Sequence, residues 1–127
     1  MSNDNFMKPL VSIIINCYNG SKYLKKAIDS VYLQTYANWE IIFWDNRSSD
    51  SSASIAKSYD SSLKYFLSPS NTKLGEARNM AISKAKGDFI TFLDCDDFFL
   101  KQTIELLVEK ILETKYVLCY GGINIIN

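Results

Sequence analysis

The stretch Leu10 to Asn16, Leu-Val-Ser-Ile-Ile-Ile-Asn, is apolar at almost every position and does not alternate. A strand with one wet face would alternate. An unbroken apolar run indicates burial on both faces, as in a parallel sheet covered by helices. Trp39 to Trp44 repeats the pattern and ends at Asp45-Asn46. Between the two runs, Asn19, Gly20 and Ser21 supply turn and N-cap chemistry. Leu24, Ala27, Ile28 and Val31 then recur at helical spacing, with Lys22, Lys25, Lys26 and Asp29 facing away, which predicts a helix to about Gln34.

The alternation continues. Ile55, Ala56 and Tyr59 mark a short helix, and Leu63 to Leu67 a more exposed third strand. Leu74, Ala77, Ala81, Ile82 and Ala85 share a helical face, with Gly87 placed as a C-terminal glycine cap. Phe89 to Leu93 reads as a further, central strand. Ile104, Leu107, Val108, Ile111 and Leu112 form an amphipathic helix, and Tyr116 to Tyr120 a fifth strand before Gly121 begins something the chain does not finish. Alternation of this kind predicts an α/β fold: a doubly wound, mainly parallel sheet with helices on both faces and right-handed crossovers. The polar residues 1–8 are expected to be a disordered tail, and 9–127 one domain.

In such a sheet, ligands bind at the carboxyl ends of the strands, where the strand order reverses. Three ends carry polar clusters: Asn16-Cys-Tyr-Asn, Asp45-Asn46-Arg47 and Asp94-Cys-Asp-Asp. An order 3-2-1-4 would bring all three to one crevice. Asp94, Asp96 and Asp97 repel one another unless a cation sits between them, and a hard divalent ion with room for phosphate oxygens is the natural partner. The competing reading is a solvated acidic turn. Tyr18 either stacks on a base or caps the core. Asp45 either hydrogen-bonds a ligand or caps the helix after its loop. Asn46 offers a donor and an acceptor to a base edge, or serves the same capping role. Arg78 pairs with a phosphate, pairs with Asp94, or lies free. Lys73 is a weaker candidate of the same kind. Cys95 reads as a small spacer, since hard cations do not favour thiolates, and Cys17 and Cys119 as small core residues.

Composition narrows the chemistry. The chain has no histidine, which removes Ser-His-Asp and Cys-His catalysis and most catalytic zinc sites. Its five glycines form neither a P-loop nor G-x-G-x-x-G. Lysine plus arginine equals aspartate plus glutamate at 14 each, which argues against a nucleic-acid partner and a polybasic anchor. No run approaches the ~20 apolar residues of a bilayer span. Three widely spaced cysteines suit reduced thiols, and a cytoplasmic location is expected.

Five motifs in order, Val11-Ser-Ile-Ile-Ile-Asn-Cys-Tyr-Asn, Tyr23-Leu with Gln34-Thr-Tyr, Trp39-Glu-Ile-Ile-Phe-Trp-Asp-Asn-Arg-Ser-Ser-Asp, Gly75-Glu-Ala-Arg-Asn and Leu93-Asp-Cys-Asp-Asp, closely resemble glycosyltransferase family 2. The resemblance runs from about Pro9 to Gly122 and implies the inverting, Rossmann-like GT-A fold. It implies that Cys17, Tyr18 and Asn19 lie against a nucleotide base and that Asp45 and Asn46 read it. Many members carry a second aspartate where this chain has Asn46. It also implies that Arg78 sits near the nucleotide, Asp94 near the ribose and metal, and Asp96 on a Mg²⁺ or Mn²⁺ ion bridging the diphosphate, with Asp97 in support. The donor implied is a nucleotide-diphospho-sugar, a UDP-sugar by preference. The acceptor is a saccharide or lipid-linked molecule in cell-surface polysaccharide or glycolipid synthesis, at the inner face of the membrane.

The family's general base lies well downstream of the D-x-D. No acid occurs between Glu113 and Asn127, so no base is nominated. The chain therefore resembles a donor-binding half with the acceptor half missing, and its apolar end predicts a homodimer. The alternative is a non-catalytic nucleotide-binding or assembly module that retains the fold. A receiver-like phospho-acceptor domain fits poorly, because Asn16 and Leu67 stand where its acids should be.

Overall fold

The computed structural model describes residues 8–114. The elements run β1 (Val11–Cys17), α1 (Ser21–Tyr32), β2 (Trp39–Asp45), α2 (Ser52–Lys57), β3 (Leu63–Leu67), α3 (Leu74–Ile82), β4 (Phe89–Phe92) and α4 (Thr103–Thr114). The predicted fifth strand, Cys119 and the apolar end lie outside the described residues, as do residues 1–7. Lys8, expected in the disordered tail, is held by a 2.7 Å hydrogen bond from Asn38 Nδ2 to its carbonyl.

All strand pairs are parallel, in the order β3-β2-β1-β4. β1 and β2 are the central strands and are packed against helices on both faces, which explains their unbroken apolar runs. β4, expected to be central, is an edge among the described residues. In register, Asn16 faces Trp44, Cys17 faces Asp45, and Ile14 lies between Ile42 and Phe92.

Helices cover both faces. On one, Ile13, Ile15, Ile41 and Phe43 pack against Leu24, Ala27, Ile28 and Val31 of α1, Ala56 of α2, and Ile104 and Val108 of α4. On the other, Ile14, Ile42 and Trp44 meet Ala77 and Ala81 of α3, small residues that let the helix sit close. Each large aliphatic side chain buried here contributes about 1.5–3 kcal/mol. The β1–β2 centre therefore dominates stability, and the strand ends are left for function.

Two expectations change. α1 stops at Tyr32, short of Gln34. Gln34 instead bridges elements: its Nε2 donates to Ser30 O (3.1 Å) and Leu100 O (2.6 Å), and its Oε1 accepts from Ile104 N (2.9 Å). Gly87 is not a helix cap, since α3 ends at Ile82 with Ser83 at its C-cap. A Cβ on Gly87 would lie 2.5 Å from Ser12 Oγ and 2.8 Å from Leu10 O, so glycine is required for close approach to β1. That approach completes a buried polar knot. Ser12 Oγ donates to Glu40 Oε2 at 2.6 Å, Lys86 N donates to the same oxygen at 2.8 Å, and Lys64 Nζ lies 2.9 Å from Glu40 Oε1. The knot fixes β4 against β1 and so sets the position of the acidic turn.

Candidate functional site

The three polar clusters converge. Strand order puts the ends of β2, β1 and β4 side by side, and the loops after them are knotted together. Asn46 N donates to Cys17 O at 2.8 Å, and Asn19 N to Ser48 Oγ at 2.8 Å. Asn19 Oδ1 accepts from Ser49 N at 2.7 Å. Asp50 reaches across to Ser21 N at 3.0 Å, capping α1 in place of a side chain of its own N-cap, Gly20. Hydrogen bonds from Ser52 first, and from Ser21, hold the Asp50 carboxyl well below the usual carboxylate range against the opposing effect of burial. Asn19 and Arg47 take positive φ, 53° and 70°, and Arg47 is anchored by bonds to Ser68 O and Pro69 O.

On this edge the predicted residues separate into presented and supporting groups. Tyr18 is 57% exposed at this edge. Asp94 and Asp96 are exposed in the turn after β4. Arg78 Nη2 lies 3.9 Å from Asp94 Oδ1, with its guanidinium 5.2 Å over the Phe92 ring. Asp97 Oδ1 accepts from Phe98 N at 2.8 Å, closing the turn. Lys73 is exposed at the N-cap of α3.

The supporting group lies beneath. Asp45 is 1% exposed. Its Oδ1 accepts from Ser48 N at 2.8 Å and its Oδ2 from the Tyr65 hydroxyl. Burial first, then this bond, pushes the Tyr65 hydroxyl far above its ordinary range. Asn46, expected to offer its amide to a base, uses both ends on Thr72: Nδ2 donates to the carbonyl at 2.7 Å, and Oδ1 accepts from the amide at 2.9 Å. Asn19 likewise ties loops together. Cys17 is buried with its thiol towards Cys95, and Cys95 packs against the same core cluster. The hydrogen bond from Cys95 draws the Cys17 thiol down from 9.0 to about 7, against burial and Asp45. The same bond, with burial, pushes Cys95 up. Cys95 thus keeps its sulfur away from the carboxylates that flank it.

Asn16 goes beyond the predicted set. Its Nδ2 is buried without a hydrogen-bond partner, as is Nε1 of its cross-strand neighbour Trp44. Both are donors near the carboxyl ends of their strands, and each is able to donate to an oxygen acceptor. The sequence signal was present: a lone amide closing an otherwise apolar run.

The carboxylates suit a hard divalent cation. Their donors are oxygen only, and they are open to solvent. Among the described residues no three cysteines or acids sit close enough to hold an ion alone. The protein would supply one or two carboxylates and leave positions for water and phosphate oxygens, the arrangement Mg²⁺ favours.

Residues 12–127 match Glycosyl transferase family 2. An uncharacterized glycosyltransferase of Haemophilus influenzae is 39% identical over 117 residues, covering 90% of this chain and 47% of that protein. The UDP-Glc:alpha-D-GlcNAc-diphosphoundecaprenol beta-1,3-glucosyltransferase WfgD of Escherichia coli is 37% identical over 119 residues, covering 93% and 47%. The crystal structure of S. aureus TarS 1-349 in complex with UDP-GlcNAc superposes with a TM-score of 0.78 at 30% identity, covering 84% of this chain and 32% of that one. The chain thus spans less than half the length of these relatives. Their shared fold is the GT-A, Rossmann-like arrangement described above, and the chain belongs to glycosyl transferase family 2.

Proposed function

We propose that this chain is the donor-binding portion of an inverting glycosyltransferase that takes a UDP-sugar with a divalent cation. The acceptor in this reading is a saccharide or lipid-linked molecule of cell-surface polysaccharide or glycolipid synthesis, and the reaction takes place on the cytoplasmic side. The observation that carries it is the convergence of Tyr18, Asn16, Arg78 and the Asp94–Asp96 turn on one edge of the sheet. Tyr18 offers a face to the base. The Asn16 and Trp44 donors are able to bond oxygens of the donor. Arg78 offers positive charge to the diphosphate, where charge builds as the sugar–phosphate bond breaks. Asp94 and Asp96 would hold Mg²⁺ or Mn²⁺, which supplies further neutralisation of the leaving diphosphate. The names of WfgD and the TarS complex, both with uridine donors, support the choice of base.

Thermal shift tests this reading. UDP with Mn²⁺ should raise Tm, by mass action worth about 2.7 kcal/mol at ~100 times Kd. The shift should vanish with chelator and in Asp96→Asn. No response to any nucleotide diphosphate would sink it and favour a module that keeps the fold without the ligand.

A further inference from the structure

On its outer face, α1 carries a groove of about 590 Å³ that does not include the Tyr18–Asp94 rim. Lys22, Lys25, Lys26 and Lys101 line it, with Asp29 the one acid. Asp29 is already engaged, by Lys25 Nζ at 2.7 Å and the Tyr59 hydroxyl at 2.7 Å. Lys22 and Lys26 lie over aromatic rings, of Tyr23 at 5.2 Å and Phe98 at 4.4 Å. Among the described residues no carboxylate is within ion-pair distance of Lys22, Lys26 or Lys101. The chain as a whole is electrically balanced, so this face concentrates unmatched positive charge.

The same face exposes large apolar side chains: Tyr23 at 50%, Leu33 at 65%, Phe98 at 44% and Leu100 at 62%. They are held rigidly. The segment 98–101 is fastened to α1 by Phe99 N to Ser30 Oγ (3.0 Å), and to the loop after α1 by Thr35 N to Lys101 O (3.0 Å) and Gln34 Nε2 to Leu100 O (2.6 Å). Lysines interleaved with aromatic and leucine side chains match an interfacial surface. The apolar groups enter the headgroup boundary while ammonium groups meet lipid phosphates. An acidic soluble protein would satisfy the lysines but leave four large apolar groups without a role. Each lysine near an anionic leaflet strengthens binding about fivefold. Phe98 directly follows the acidic turn, so a bilayer held here lies beside the sheet edge.

We infer that the α1 face, with Phe98 to Lys101, docks on an anionic phospholipid bilayer. This deepens the lipid-linked acceptor of the proposed function, but its test needs no nucleotide, so the two readings fail separately. The protein is sedimented with phosphatidylcholine vesicles, with and without about one-third phosphatidylglycerol. It should pellet with the anionic vesicles only, and salt near 0.5 M should release most of it as the Debye length shrinks below about 5 Å. The triple variant Lys22→Glu, Lys26→Glu, Lys101→Glu should lose binding at least tenfold. Leu33→Ser with Leu100→Ser should also weaken it, with circular dichroism unchanged in both. Equal binding to neutral and anionic vesicles, none to either, or full binding by the charge-reversed variant overturns the inference. So does a concentration-dependent dimer that the same substitutions dissolve, which would make a second copy the occupant.

Discussion

Arg78 Nη2 and Asp94 Oδ1 stand 3.9 Å apart, across the gap between α3 and the turn after β4. Both side chains are substantially exposed, so the pair contributes at most about 1 kcal/mol to folding. In the proposed donor site it holds a cation beside a carboxylate where a diphosphate would enter. Arg78→Ala should therefore shift Tm by only a few degrees while weakening UDP affinity about tenfold in calorimetry. Arg78→Lys should recover part of this, because a point charge replaces a planar fork. A large loss of stability with unchanged affinity would make Arg78 a structural residue.

Asn16 and Asn46 should behave oppositely. Asn46 joins the end of β2 to Thr72 through both ends of its amide, while Asn16 Nδ2 has no partner. Asn46→Ala leaves the Thr72 amide and carbonyl without partners and should cost about 1–3 kcal/mol in urea unfolding. Asn16→Ala removes an unmatched donor, so stability should hold or rise while UDP affinity falls. Unchanged affinity in Asn16→Ala would remove Asn16 from the site.

These two amides show what the sequence disclosed. Strand-like runs at Leu10 to Asn16 and Trp39 to Trp44, alternating with helical spacing, pointed to a parallel sheet, because burial on both faces is written in composition; the order 3-2-1-4 was only a supposition, and the structure supplies it. Side-chain direction at that edge was not. For Asn46 base reading and capping both stood open, and its amide clasps Thr72. Cys17 read as a small core residue, while the resemblance placed it against the base; it lies in the core, with its thiol towards Cys95. Both outcomes depend on residues distant in sequence, Thr72 and Cys95. Gly87 was misread for the same reason: its constraint comes from Ser12 and Leu10 across the sheet, not from the helix before it.

The Glu40 knot gives a pH dependence. Burial alone would raise the Glu40 carboxyl, but hydrogen bonds from Ser12, Lys86 N and Lys64, with the charge of Lys64, hold it below its ordinary 4.5. A carboxyl lowered in the folded state stabilises the fold above its unfolded value. That contribution is lost as pH falls from 4.5 through the folded value. Acid should therefore destabilise the protein in that window, and Glu40→Gln should flatten the acid limb of a Tm–pH curve. At neutral pH, Glu40→Ala should cost about 2 kcal/mol, a figure discounted for the partial exposure of Lys64. An acid limb identical in Glu40→Gln and the parent would assign acid sensitivity elsewhere.

Gly20 couples the loop after β1 to the acidic turn. Its φ of −108° suits any residue, so the backbone does not demand glycine. Space does: a Cβ would lie 2.5 Å from Cys95 Sγ and 3.0 Å from Cys17 Sγ. Cys95 sits between Asp94 and Asp96, so a methyl group at position 20 must push on the sulfur and displace the carboxylates around it. Gly20→Ala should cost about 1–3 kcal/mol, the usual penalty of overpacking, and should weaken Mn²⁺-dependent UDP binding. Cys95→Ala removes the obstructing atom and leaves the carboxylates in place. The double variant Gly20→Ala, Cys95→Ala should then be more stable than the sum of its singles by at least about 1 kcal/mol, and should regain affinity. Additive losses across this cycle would show that the sulfur does not fill the space above Gly20, and the acidic turn would have to be positioned by the Glu40 knot alone.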